Sequence, residues 1–222
     1  MAHRAIRTGI IGYGLSGRVF HAPFIHGLPE FELSAVCSRQ AETVQDRYPD
    51  TDVVPDTEQL IASPELDLII ITAPNALHFP LAEAALKAGK HVLLEKPSVT
   101  SLQEIETLTQ LATDQKRLLT VYQNRRFDGD FLHLKSLIES GELGALKHLT
   151  SRFDRFRPTP QNRWREQPGP ASGIFWDLGP HLLDQALHLL GKPDSLQANL
   201  KILRPGGATP DWFEVMLHYP DL

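Results

Sequence analysis

The chain has 222 residues, of which 41% are hydrophobic and 22% charged, with a formal net charge of −5 and a pI near 6.0. These values describe an ordinary globular protein of one large or two small domains. They exclude a fibrous or disordered chain and offer no basic surface for nucleic acid or an anionic membrane. The one cysteine, Cys37, rules out an internal disulfide, no leader-like pattern opens the chain, and no apolar run approaches the ~20 residues of a membrane span, so a cytoplasmic protein is expected.

Strand-like and helix-like segments alternate through the first half. IRTGII (6–11) reads as a strand and 16–28 as a helix; LSAVCS (33–38) is a second strand, AETVQDRY (41–48) a helix and DVVP (52–55) a short strand. TEQLIAS (57–63) is a short helix. LDLIIITA (66–73) is a nearly continuous β-branched run, the signature of a strand buried on both faces. HFPLAEAALKAG (78–89) gives a helix closed by Gly89, and HVLLEKP (91–97) a strand stopped by Pro97. A capping box, Ser101 with Glu104, opens the helix 101–115, and RLLTVYQ (117–123) is a further strand. Strands separated by helices of this length imply right-handed crossovers and a doubly wound parallel α/β sheet over residues 1–122.

The rhythm changes near residue 123. A helix is expected over 131–144, an alternating strand over 146–156 and a Pro/Gly-rich loop over 157–173. A second helix follows over 177–191, then strands over 195–204 and 211–220. Residues 123–222 therefore read as a second α/β domain. The loop 157–173 is longer than most connections, which marks it for function.

The motif G-x-G-x-x-G stands at Gly12, Gly14 and Gly17, between a strand and a helix. That is the context in which glycines allow a tight turn, close approach of backbone to a pyrophosphate and packing of helix on strand. About 20 residues on, an NAD site offers an acid to the ribose hydroxyls. Here Ser38 and Arg39 stand at that point. Arginine pairs with a 2′-phosphate, so NADP is expected in preference to NAD. The alternative is that Arg39 is only a solvated residue at a helix start.

EKP at Glu95–Pro97, DLGPHLLDQ (177–185), GYGLSGRVFHAPF (12–24), YQNRRFDGDF (122–131) and RWRE (163–166) together resemble the glucose–fructose oxidoreductase / inositol dehydrogenase / MocA family, and within it the NADP-dependent scyllo-inositol dehydrogenase-like members. The resemblance implies an N-terminal Rossmann domain and a C-terminal α/β domain with an open antiparallel sheet used for homo-oligomerisation. It implies hydride transfer between a nicotinamide and a polyol or sugar. Because members are longer, it also implies that this chain stops inside the C-terminal sheet.

The family's catalytic residues match Lys96, Asp177 and His181. Imidazole titrates near neutrality, a lysine charge favours a developing alkoxide, and Asp177 lies four residues before His181, on one helix face or at a cap. Either Lys96 or His181 is expected to move the proton. Cofactor contacts implied by the resemblance are Gly12, Gly14, Leu15, Ser16, Gly17, Ser38, Arg39, Thr72, Pro74, Asn75, His78, Glu95, Lys96, Arg125, Trp164 and Arg165. Arg126 is a substrate candidate, and His21 carries no assigned role. Asp177, His181, Asp184 and His188 form one helical stripe, but four ligands along about 16 Å of helix cannot converge on one ion. No metal is expected, and Asp184 and His188 read as structural. Two alternatives to the enzyme remain: a non-catalytic NADP-binding module, and an inactive fragment of a longer enzyme.

Overall fold

The computed structural model describes residues 4–220, so the first three residues and the chain end at Leu222 lie outside it. Packing divides the chain between Tyr122 and Gln123 into two units.

The first unit is a six-stranded parallel sheet with helices on both faces. Its strands are β1 (Ile6–Ile11), β2 (Phe31–Cys37), β3 (Asp52–Val54), β4 (Leu68–Ile71), β5 (His91–Leu94) and β6 (Leu119–Val121). They lie in the order β3-β2-β1-β4-β5-β6, and every pairing is parallel. β4 shows why the apolar run 66–73 becomes a strand and where it points. Side chains alternate across a sheet, so Ile69 and Ile71 enter one apolar layer and Ile70 the other. The first layer is completed by α3 (Thr57–Ala62), α4 (His78–Lys87) and α5 (Leu102–Asp114), through Leu60, Leu86 and Leu108. The second is completed by α1 (Ala22–Gly27) and α2 (Ala41–Gln45), through Ala22, Ile25 and Val44. The capping box at α5 forms as its sequence predicts, Ser101 accepting from the Glu104 N–H and Glu104 from the Ser101 N–H.

The helix expected over 16–28 begins irregularly. A π-type segment, Gly17–His21, precedes α1, and the Ala22 N–H bonds the Gly17 carbonyl five residues back. Pro23 follows at the start of α1 and has no N–H to continue the α-helical ladder.

The second unit holds a 3₁₀ turn Asn124–Phe127, α6 (Gly129–Glu139), α7 (Ile174–Leu190), and an antiparallel pair β7 (Ser195–Lys201) and β8 (Trp212–His218). The β7–β8 connection is tied by Asp211, whose carboxylate accepts from the Leu203 and Arg204 backbone N–H groups and from the Arg204 guanidinium. Burial alone would raise the Asp211 carboxyl, but these bonds hold it below the usual range. Every residue of β7 is exposed.

Two expectations for this unit are corrected. α7 begins at Ile174 rather than 177, so Asp177 sits inside its first turn and does not cap it. The strand expected over 146–156 does not form. An alternating pattern defines two faces, but a strand is held by ladder bonds to a neighbour. No described strand pairs with this segment, and Phe156 is 93% exposed.

Ile70 is fully buried between strand and helices, whereas Leu196 in β7 is 61% exposed. Ile70→Ala is therefore expected to lower stability by about 2–5 kcal/mol. Leu196→Ala should stay within about 0.5 kcal/mol. Urea unfolding followed by circular dichroism measures both.

Candidate functional site

β1 is the central strand of the first unit, and its neighbours β2 and β4 continue the sheet in opposite directions. This is the switch point, where the loops at the carboxyl ends of the strands part and leave a crevice for a ligand. The glycine loop occupies it and is tied to both neighbours. The Gly12 N–H donates to the Cys37 carbonyl (3.1 Å), and the Thr72 hydroxyl donates to the carbonyls of Ile11 (3.1 Å) and Gly12 (2.9 Å). Gly12 has φ +98°, and a Cβ there would lie 2.7 Å from the Thr72 hydroxyl oxygen. A Cβ on Gly17 would overlap the Gly12 carbonyl oxygen. Both glycines are thus required by the protein's own packing. Gly14 is different, because a Cβ there meets no protein atom within 4 Å. Nothing in the fold demands glycine at 14, whereas close approach of a pyrophosphate does. The loop therefore fits a dinucleotide. Leu15 is exposed beside it and Ser16 is half-buried.

Ser38 and Arg39 follow the end of β2. The Ser38 hydroxyl accepts from the Gln40 N–H (3.0 Å), which shapes the turn. Arg39 is exposed, and no hydrogen bond or ion pair to another described residue engages its guanidinium. Cys37, just before them, is buried; burial first, and Asp56 second, push its thiol up from the ordinary value.

Thr72, Pro74 and Asn75 follow β4, with Asn75 buried at the start of a 3₁₀ turn. His78, expected among the ligand-lining residues, is 1% exposed. One ring nitrogen lies 2.8 Å from the Pro97 carbonyl, and the other 2.8 Å from that of Ala73. The ring braces the loop after β4 against the turn after β5, which leaves it no face for a ligand. This corrects the expectation.

Glu95 directly follows β5, in a setting that its sequence neighbours do not reveal. Its Oε1 accepts from the Ser16 hydroxyl and lies 3.0 Å from His21 Nε2, while its Oε2 accepts from the Lys96 N–H at 3.0 Å. Burial alone would raise the Glu95 carboxyl. Hydrogen bonds from His21 and Ser16, the charge of His21 and the Lys96 N–H outweigh that and hold it below the usual range. His21 is 3% exposed, its ring 4.3 Å from that of Tyr122. Lys96 beside it is half-buried.

In the second unit Asp177 and His181 share one face of α7, and His181 is buried. Asp177 is approached at 3.5 Å by both Arg155 and Arg165. Arg165 also lies over the Trp164 ring, and Arg125 and Arg155 both lie over Phe153. Arg125 pairs with Asp128 at 2.7 Å. The sequence reading missed Arg155, which lies within the segment taken as a strand. Arg126 grips Asp184 through two bonds of 2.7 and 2.6 Å, and His188 Nε2 lies 3.2 Å from Lys135 Nζ. Asp184 and His188 are thus engaged elsewhere than Asp177 and His181. Among the described residues no group of three or more His, Cys, Asp or Glu is arranged to hold a metal, and no helix is long and apolar enough to cross a membrane.

Two family models match the chain: one for an oxidoreductase family with an NAD-binding Rossmann fold over residues 6–123, the other for a GFO/IDH/MocA C-terminal domain over 131–221. The oxidoreductase YdgJ of Escherichia coli K12, itself uncharacterized, is 48% identical over 97% of this chain and 62% of its own length. The scyllo-inositol 2-dehydrogenase (NADP(+)) IolW of Bacillus subtilis 168 is 42% identical over 98% of this chain and 61% of its own. A solved structure from Klebsiella pneumoniae, 45% identical, superposes with a TM-score of 0.90 over 99% of this chain and 60% of that one. The chain thus spans about three fifths of the length of these relatives. With both models matched in order, the chain belongs to the glucose–fructose oxidoreductase / inositol dehydrogenase / MocA family.

Proposed function

We propose that the protein is an NADP-dependent oxidoreductase that moves a hydride between the nicotinamide and a secondary alcohol or ketone of an inositol-like polyol or a sugar. The observation that carries this reading is the cofactor end of the sheet. Gly14 has no packing reason to be glycine, and Arg39, whose guanidinium no described residue engages, stands where an NAD site would offer an acid. The name of IolW, which couples an inositol with NADP, and the D-glucoside 3-dehydrogenase of E. coli, 28% identical over 201 residues, support the substrate class.

In this reading residues 1–122 bind the cofactor, and 123–222 serve the substrate and, in a full-length form, contacts between subunits. Gly12, Gly14, Leu15, Ser16 and Gly17 hold the pyrophosphate; Ser38 and Arg39 hold the 2′-phosphate; Thr72, Pro74 and Asn75 face the ribose; and Glu95, Lys96, Arg125, Trp164 and Arg165 serve the nicotinamide end. The nicotinamide accepts or supplies the hydride. When an alcohol is oxidised its hydroxyl proton must leave as the C–H hydride departs. His181 takes that proton, and the Lys96 charge favours the alkoxide as it develops. Asp177 orients Arg155 and Arg165 as donors for substrate hydroxyls. Reduction runs the same steps backwards.

Arg39→Ala is expected to weaken NADPH binding about tenfold or more while NADH binding changes by less than about twofold. Fluorescence titration measures both, and an equal loss for the two cofactors would refute the NADP assignment. Gly14→Ala should leave the melting temperature within about 2 °C and still weaken NADPH binding, whereas Gly17→Ala should lower both. Following NADPH absorbance across a panel of inositols and sugars tests turnover. Tight NADPH binding with no turnover of any of them would favour a cofactor-binding module or an inactive fragment instead.

A further inference from the structure

The Glu95 carboxylate gathers donors from two stretches about 75 residues apart in sequence, 16–21 and its own neighbour Lys96. Ser16 belongs to the glycine loop, His21 to the π-type segment behind it, and the Lys96 N–H to the chain leaving β5. An ionised carboxylate only accepts, so His21 Nε2 must carry the proton it shares with Glu95. The imidazole is fixed from its other side as well. Its ring packs on Tyr122, whose hydroxyl donates to the Phe20 carbonyl at 3.2 Å. The π-type bond from the Ala22 N–H to the Gly17 carbonyl adds a residue to the turn that carries His21. Such interruptions concentrate at functional sites.

We propose that His21 is a positioning residue. By donating to Glu95 it holds one carboxylate that fixes Ser16 in the glycine loop and the Lys96 backbone at the same time. The phosphate end and the reactive end of the cofactor site are thereby set by a single buried bridge. A carboxylate that is 9% exposed and loses its imidazole partner must find another donor or turn away, and either response releases both ends together. The identity of the ligand rests on the function proposed above; the bridge itself does not.

The test compares wild type with His21→Leu, which removes the donor, and His21→Gln, which returns an amide N–H near the Nε2 position. NADPH affinity is read by fluorescence, and hydrogen exchange by mass spectrometry over 12–18, 95–98 and the control strand 68–71. In His21→Leu, NADPH binding should weaken about tenfold. Exchange should rise at 12–18 and at 95–98 but not at 68–71, and His21→Gln should recover most of both effects. Wild-type exchange at either loop segment in His21→Leu overturns the proposal, and so does a His21→Gln variant as damaged as the leucine one. If His21→Leu does not fold, Glu95→Gln replaces it: faster exchange at both segments supports the bridge, and wild-type exchange overturns it. A wild-type chain that binds no NADPH would sink the proposed function, while the exchange data would still decide the role of His21.

Discussion

Three stretches of backbone converge beside the end of β1, and the protein leaves no room for a side chain at 12 or 17. Gly12 turns with positive φ against Thr72, and Gly17 brings the following helical segment onto the Gly12 carbonyl. This closeness lets a helix start directly over the strand that supplies the loop. It also lets the Gly12 N–H reach the end of β2 while the Thr72 hydroxyl ties the turn to β4. The alternating apolar layers on both sheet faces then lock that geometry from below. Bulk at 12 or 17 would push the loop off the strand ends; bulk at 14 would touch only what the loop is shaped to receive.

The two units stabilise their polar residues by different means. In the first, Glu95 and His78 are buried among fixed partners: Glu95 meets three donors, and a carbonyl lies at 2.8 Å from each ring nitrogen of His78. Losing one partner from such a group is costly, because the remaining atom stays out of water. In the second unit the arginines around Asp177 are partly exposed, and their pairs at 3.5 Å are each worth about 1 kcal/mol or less. The first arrangement is fit to hold a constant group in one place. The second costs little to rearrange.

What could be read from the sequence follows from how local each feature is. The strand 68–71, the glycine loop and the capping box at α5 depend on neighbours within a few positions, and all are visible as patterns. The strand expected over 146–156 was misread because alternation is necessary for a half-buried strand but does not supply its ladder partner. His21 went unassigned because its meaning lies in Glu95, 74 residues on, and no local spacing encodes that contact. His78 looked like a ligand contact from its place after β4, but the carbonyl of Pro97, 19 residues later, claims its ring. Asp177 and His181 were correctly put on one helical face, while the early start of α7 removed the capping role that was the alternative for Asp177.

The position of Cys37 has a practical consequence. It is the one thiol in the chain, it is buried, and its own carbonyl receives the Gly12 N–H. A thiol reagent can reach it only when the packing around the tip of β2 opens, and an opening that displaces the strand also breaks the bond anchoring the glycine loop. The rate of alkylation at Cys37 is therefore a built-in clock for breathing of the dinucleotide end. It can be read without a label and without interference from a second sulfhydryl group, and a ligand seated on the loop would slow it.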